Sequence, residues 1–310
     1  MTGNNEERAT YPVFFKDRDG ELYFQYRNGG SGQGITYWNK YNAETKQWKG
    51  LFDTPFFDGE GEANAYMTDP SPGPDGYFYV VWMWRLTPTA NTNHNLACVR
   101  SKDLVHWENL RGDAISLPIK WRDNLPVVDP VGPWNGLINM GFGISWNKLN
   151  VPFIHYHKYD AKGISQLYMA RFEQKSDNKG NWVPYQLSKW PEFTWPLNLG
   201  GSLRNSVGVT NVRHAANRQL QVNYMHEVYG TGTWLIDEAS MKIKKQLTLQ
   251  QDKLLKLLPP LQVNAGMMEQ HKRDNTRRFI MRWQTLPHNQ DRPHVGTHPP
   301  AVQLVVYEDK

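Results

Sequence analysis

Four positions carry side chains suited to holding an anion: Arg27, Arg85, His157 and His226. Each stands at or near the end of an alternating aromatic or aliphatic run, namely Leu22–Arg27, Phe78–Arg85, Phe153–His157 and Leu220–His226. The intervals are 58, 72 and 69 residues, and a fifth run, Phe279–Trp283, continues the series. If the runs are equivalent strands of a repeated unit, these groups converge on one face as an anion-binding funnel, a stronger signal than any one of them. Asn64, Tyr66 and Asn139 fall at early-strand positions that would line the same mouth, and His94 follows the loop after Arg85. Arg27 precedes Gly29-Gly30-Ser31-Gly32, a loop that lets a ligand approach the backbone. Taken singly, each residue also has a plainer role: Arg27 paired with a core Asp, Tyr11 packed ahead of Pro12, each His satisfied structurally. His155 and His157 share a strand face and, with Cys98, His94 or His226, would resemble a zinc set, although two His at this spacing are weak evidence. Asp58, Glu60 and Glu62 are the nearest carboxylates for a hydrolytic pair. Ser202 and Ser206 assemble into no nucleophile triad, and neither a phosphate loop nor a dinucleotide fingerprint is present.

The elements that must position these groups read as strands. Among 310 residues there are 13 Trp, 15 Tyr and 12 Phe, while Leu and Ala are sparse. That composition argues against a helical bundle and for β-structure. Asp19-Gly20 and Asp75-Gly76 are tight-turn dipeptides ahead of the first two runs. Third strands follow each loop, and Trp48, Trp107 and Trp182 mark a fourth, edge strand in the first three units. Four strands recurring about every 64 residues predict an all-β chain, a β-propeller with five four-stranded blades over 8–58, 62–120, 136–190, 200–245 and 262–310 as one domain. The Lys- and Leu-rich stretch Met241–Val263 lacks the blade pattern and reads as a short helix or a long connection. The single Cys98 excludes an internal disulfide framework. The net charge of +5 is modest and scattered, so it favours an anionic partner mildly and nucleic acid not at all. No apolar run is long enough to span a membrane, and Met1–Arg8 lacks the apolar core of a signal peptide.

Several segments together resemble a BNR-repeat-containing propeller family: Arg8-Ala-Thr-Tyr11-Pro12, Tyr26-Arg27-Asn-Gly29-Gly30-Ser31-Gly32, Asp58-Gly-Glu-Gly, Asn64-Ala-Tyr66, Trp84-Arg85, Asn93-His94-Asn95, Tyr156-His157-Lys158 and Gly230-Thr-Gly-Thr-Trp234. Ser101-Lys-Asp103-Leu-Val-His-Trp107 looks like a degenerate Asp-box, with a structural role. The family includes seven-bladed lyases of uronate polysaccharides, of the ulvan lyase and rhamnose–glucuronate lyase types. The resemblance implies a Tyr and an Arg sixteen residues apart in the catalytic centre, matched by Tyr11 and Arg27, with a substrate-binding Arg at Arg85. It also implies a catalytic His pair ahead of the Thr-Tyr-Pro segment, with no counterpart here. The chain is therefore expected to be the last five blades of seven, with about 130 residues upstream. The expected partner is an anionic, uronate-containing poly- or oligosaccharide met outside the cell or in the periplasm, with no nucleic acid and no membrane. No cofactor is implied, although a structural zinc or calcium stays open. A non-catalytic sugar-binding propeller, an inactive fragment and a glycoside hydrolase are the other readings.

Overall fold

The computed structural model describes the chain except residues 124, 126, 175–179, 210–211, 248–257, 275–277, 290–291, 298–301 and 309–310. Among the described residues the fold is all-β, with one 3-10 turn at Ala90–Thr92. Two compact units are present: 1–200 with 205–248, and 201–204 with 249–310.

The first unit holds four antiparallel meander sheets, the blades of a β-propeller. The first is built from Ala9–Lys16, Leu22–Asn28, Ile35–Asn42 and Gln47–Gly50. The second runs Asn64–Met67, Phe78–Arg85, Asn93–Ser101 and Trp107–Glu108. The third runs Gly143–Trp146, Pro152–Tyr159, Ser165–Glu173 and Asn181–Gln186. The fourth runs Val207–Val209, Gln219–His226, Gly230–Asp237 and Lys242–Leu247. Short two- and three-residue strands extend the first, second and fourth sheets.

Strand Phe78–Arg85 shows why the sheets stack. All eight of its residues are buried. Phe78, Val80, Trp82 and Trp84 pack with Tyr23, Trp38 and Phe57 of the first sheet's side. Tyr79, Val81 and Met83 pack with Ile154, Tyr156 and Tyr168 of the third sheet. Alternate residues of a strand point to opposite faces, so a strand covered on both faces must be apolar throughout. Each such buried aromatic or aliphatic side chain contributes about 1.5–3 kcal/mol. The turn before Trp107 is held by Asp103, whose carboxylate accepts the Val105 and His106 N–H groups at 2.9 and 2.8 Å. Trp107 then packs on Trp38 and Phe56.

Two expectations are corrected. Lys242–Leu247 is the outer strand of the fourth sheet rather than a helix or connection. Its lysines are exposed on an edge, where charge discourages further pairing, while Ile243 pairs with Ile236. Residues 248–257 of that stretch lie outside the described residues. Among the described residues four blades are present rather than the predicted five, and the second unit holds a three-stranded sheet of Met268–Arg273, Phe279–Thr285 and Val305–Glu308. Pro287 and Pro293 interrupt the stretch between the last two strands, and proline cannot donate to a ladder. Only Ile280 and Arg282 of this sheet are buried.

Candidate functional site

A cavity of about 250 Å³ opens between the first two sheets, lined among others by Tyr11, Gln25, Arg27, Tyr66, Asp69 and Asn139. Arg27 ends its strand with only 7% of its surface exposed. Its Nε donates to Thr10 Oγ1 at 3.0 Å, and its buried Nη1 has no hydrogen-bond partner. Gly34 makes this rotamer possible, because a Cβ there would lie 2.4 Å from Arg27 Cδ. Gly32, at φ +88°, lets the same loop turn against Leu86 and Thr87, and its N–H is accepted by the fully buried Asn64 side chain.

Tyr66 stands at the centre. The Arg85 guanidinium lies 3.9 Å from its ring centroid and that of Arg27 lies 5.3 Å away. Its hydroxyl meets Ser31 Oγ at 2.8 Å and accepts from Arg85 Nη1 at 3.0 Å. Tyr11 meets Tyr66 edge-on at 5.5 Å, with the Arg27 guanidinium 4.7 Å above its own ring. Tyr11 sits on a bulge between Thr10 and Val13 at φ +52°, a conformation costing a non-glycine residue about 1 kcal/mol or more. It stays 60% exposed at the mouth.

The two phenols are pushed apart. Burial, followed by the negative charge that Tyr66 would carry, raises the Tyr11 phenol above its ordinary value despite Arg27 and Arg85. Burial also acts to raise Tyr66, but the Arg85 charge, the Ser31 hydroxyl and Arg27 outweigh it and lower that phenol. The tyrosine lowered is thus Tyr66, which two guanidiniums flank. Asp69 is the only carboxylate among the lining residues described, and burial raises it.

The chain is similar to known proteins in sequence and fold. The profile of a BNR repeat-containing family matches residues 1–190, well over half of the chain. The chain belongs to that BNR repeat-containing family. It is 40% identical over 73 residues to the short isoform of an ulvan lyase from Alteromonas sp. (strain LOR), which is 21% of this chain and 13% of that protein. In fold it is similar to a solved polysaccharide lyase, an ulvan lyase, with a TM-score of 0.56 at 11% identity, covering 77% of this chain and 56% of that one. The solved structure of an ulvan lyase bound to -[GlcA(1-4)Rha3S]- gives the same values. The BNR repeat-containing chain thus spans little more than half the length of that solved lyase and a small part of its curated relative.

Within the BNR chain, the residues singled out from sequence fall into two groups. Tyr11, Arg27, Tyr66 and Asn139 line the cavity. Arg85 lies behind Tyr66, each guanidinium nitrogen bonded: Nε to Asn93, Nη1 to Tyr66 and Nη2 to Asn139. Asn64 holds the glycine loop. His94, His157 and His226 do not line the cavity. His94 bonds the Thr92 carbonyl at 3.2 Å and is lowered by burial. His157 and His226 are buried beside Trp195, and beside Trp190 and Phe193, respectively. Among the described residues no three of His, Cys, Asp and Glu come together as a metal-ligand set. Asp58, Glu60 and Glu62 lie off the cavity: Asp58 accepts the Glu60 N–H, Glu60 lies 3.8 Å from Lys120, and Glu62 pairs with Arg122 at 2.7 Å. Ser31 and Asn93 were missed in the sequence, although Ser31 lies in the glycine loop already singled out and Asn93 adjoins His94.

Proposed function

We propose that the chain acts as a uronate-directed polysaccharide or oligosaccharide lyase working by β-elimination at the cavity between the first two sheets. The observation that carries this reading is the buried Arg27 Nη1, a guanidinium nitrogen without a hydrogen-bond partner beside two tyrosines whose phenols are driven in opposite directions. A uronate carboxylate would fill the missing contact, and its bidentate fit to guanidinium favours the enolate-like charge that develops when the C5 proton leaves. Tyr66, the more readily deprotonated of the two phenols, takes the C5 proton. Tyr11, which keeps its proton, donates it to the C4 oxygen as the C4–O bond breaks and the C4–C5 double bond forms. Paired groups with environments that push them apart are the usual mark of an acid and a base. Arg85 acts through Tyr66, and Asn139 at the rim is placed to bond the sugar.

One lining carboxylate disfavours a hydrolytic pair, which needs two flanking the scissile bond. The likeness to lyases includes one bound to a glucuronate-containing repeat, which supports an anionic polysaccharide as the substrate class. We further read the four blades as part of a seven-bladed ring acting outside the cytoplasm, where such polymers are met. The chain, incubated with glucuronate polysaccharides, is expected to generate the far-ultraviolet absorbance of an unsaturated uronate. Reducing ends appearing without that absorbance would replace the reading with hydrolysis, and binding without either would replace it with a sugar-binding module.

A further inference from the structure

We propose that Gln25 is a second sugar-reading residue, its amide taking a free ring hydroxyl of the uronate whose carboxylate Arg27 holds. The choice of sugar as ligand rests on the lyase reading; the unsatisfied amide does not. Gln25 and Arg27 stand two residues apart on strand Leu22–Asn28, so they share a face about 7 Å apart. Gln25 is 4% exposed, and its Oε1 has no hydrogen-bond partner. Its cross-strand neighbours are Val13 and Trp38. Trp38 Nε1 and Arg27 Nη1 are buried and unpartnered as well, so neither donor satisfies the amide oxygen.

A buried amide oxygen without a partner is costly, and most such groups in folded proteins are satisfied. Here the cavity supplies the missing partner, because Gln25 lines it together with Arg27. Val13, Met67 and Phe142 line it as well and offer an apolar wall. An amide both donates and accepts, as a hydroxyl does. The separation of the two side chains is of the order of one pyranose ring with its substituents. Arg27 therefore reads the charged end and Gln25 the hydroxyl end of the same ring.

The test titrates the whole chain with methyl glucuronoside and with each of its mono-O-methyl ethers, followed by NMR or calorimetry. Wild type is expected to bind the parent about tenfold more tightly than one of the ethers. Gln25→Leu is expected to lose about tenfold on the parent and to bind the parent and that ether alike. Its melting temperature should equal or exceed that of wild type, since the variant removes an unsatisfied group. Parent affinity within twofold of wild type would overturn the proposal, most plainly if the melting temperature fell, which would make Gln25 a structural neighbour of Trp38. If wild type discriminates among the ethers but forms no unsaturated product, the lyase reading fails and this subsite stands. If unsaturated product forms and Gln25→Leu leaves KM unchanged, only the subsite fails.

Discussion

Sheets one and two end equivalent strands in Arg27 and Arg85; sheets three and four carry His157 and His226 near the same phase. The two pairs meet opposite fates. The arginines converge on Tyr66 beside an open cavity, held by hydroxyls and amides. The histidines are sealed among aromatic rings. Neither His157 ring nitrogen has a partner, and His226 Nε2 has none. Burial drives His157 down to about 3 and His226 to about 4, so both are neutral near pH 7. Repeat phase thus sets where a side chain points, while its surroundings decide whether it lies beside a cavity or among aromatic rings. Of the four groups expected to form an anion funnel, the two arginines meet at Tyr66 beside the cavity, while His157 and His226 are buried away from it, His226 Nδ1 accepting the Val228 and Tyr229 N–H groups.

The comparison can be broken most forcefully by exchanging which half is damaged. Arg27→Ala is expected to lower turnover on a uronate polymer at least a hundredfold, on the scale of losing one preorganised charge-stabilising donor. His157→Leu should leave turnover within about twofold, because it removes an imidazole that bonds nothing. Equal losses in steady-state assays of the two variants would restore the funnel. A loss of similar size is expected from Tyr66→Phe, which keeps the ring between the guanidiniums but deletes the hydroxyl bonded to Ser31 and Arg85. Turnover should fall about a hundredfold or more with the fold intact by circular dichroism. Unchanged turnover would remove Tyr66 from the proton path.

The smallest effect is on stability against acid. His155, His157 and His226 are depressed to about 4, 3 and 4 from 6.5, all chiefly by burial. Below pH 6.5 the unfolded chain takes up protons that the folded chain refuses. The stability these groups contribute is therefore complete above about pH 6.5 and is lost as pH falls towards their folded values. Each contributes a slope of about 1 kcal/mol per pH unit in that window. Melting temperature measured from pH 7 to 4 should fall, and less steeply in His157→Leu; an unchanged slope would mean that His157 is protonated in the fold.

Much of the fold was legible in the sequence. The runs ending in Arg27, Arg85 and His226 end strands as expected, and the run through His157 continues to Tyr159. Alternation and turn dipeptides are local signals, so they survive without tertiary information. In the last sheet the strand read at Val302–Tyr307 is present as Val305–Glu308, whereas the expected fourth strand is not found among the described residues. Within the site, the meeting of Arg27 with Tyr11 was legible from the family resemblance. The partners of Arg85 were not, since Asn93 and Asn139 lie 8 and 54 residues from it. The burial of His157 and His226 was hidden for the same reason: Trp190, Phe193 and Trp195 come from an irregular segment without periodicity.

The central claim is that Arg27 is the group that receives the anion. A crystal structure of the chain with a glucuronate-containing oligosaccharide tests it most directly. The account predicts a carboxylate within hydrogen-bond distance of Arg27 Nη1, with the sugar ring beside Tyr11 and Tyr66. A carboxylate bound instead at His157 or His226, with the cavity between the first two sheets empty, would contradict it.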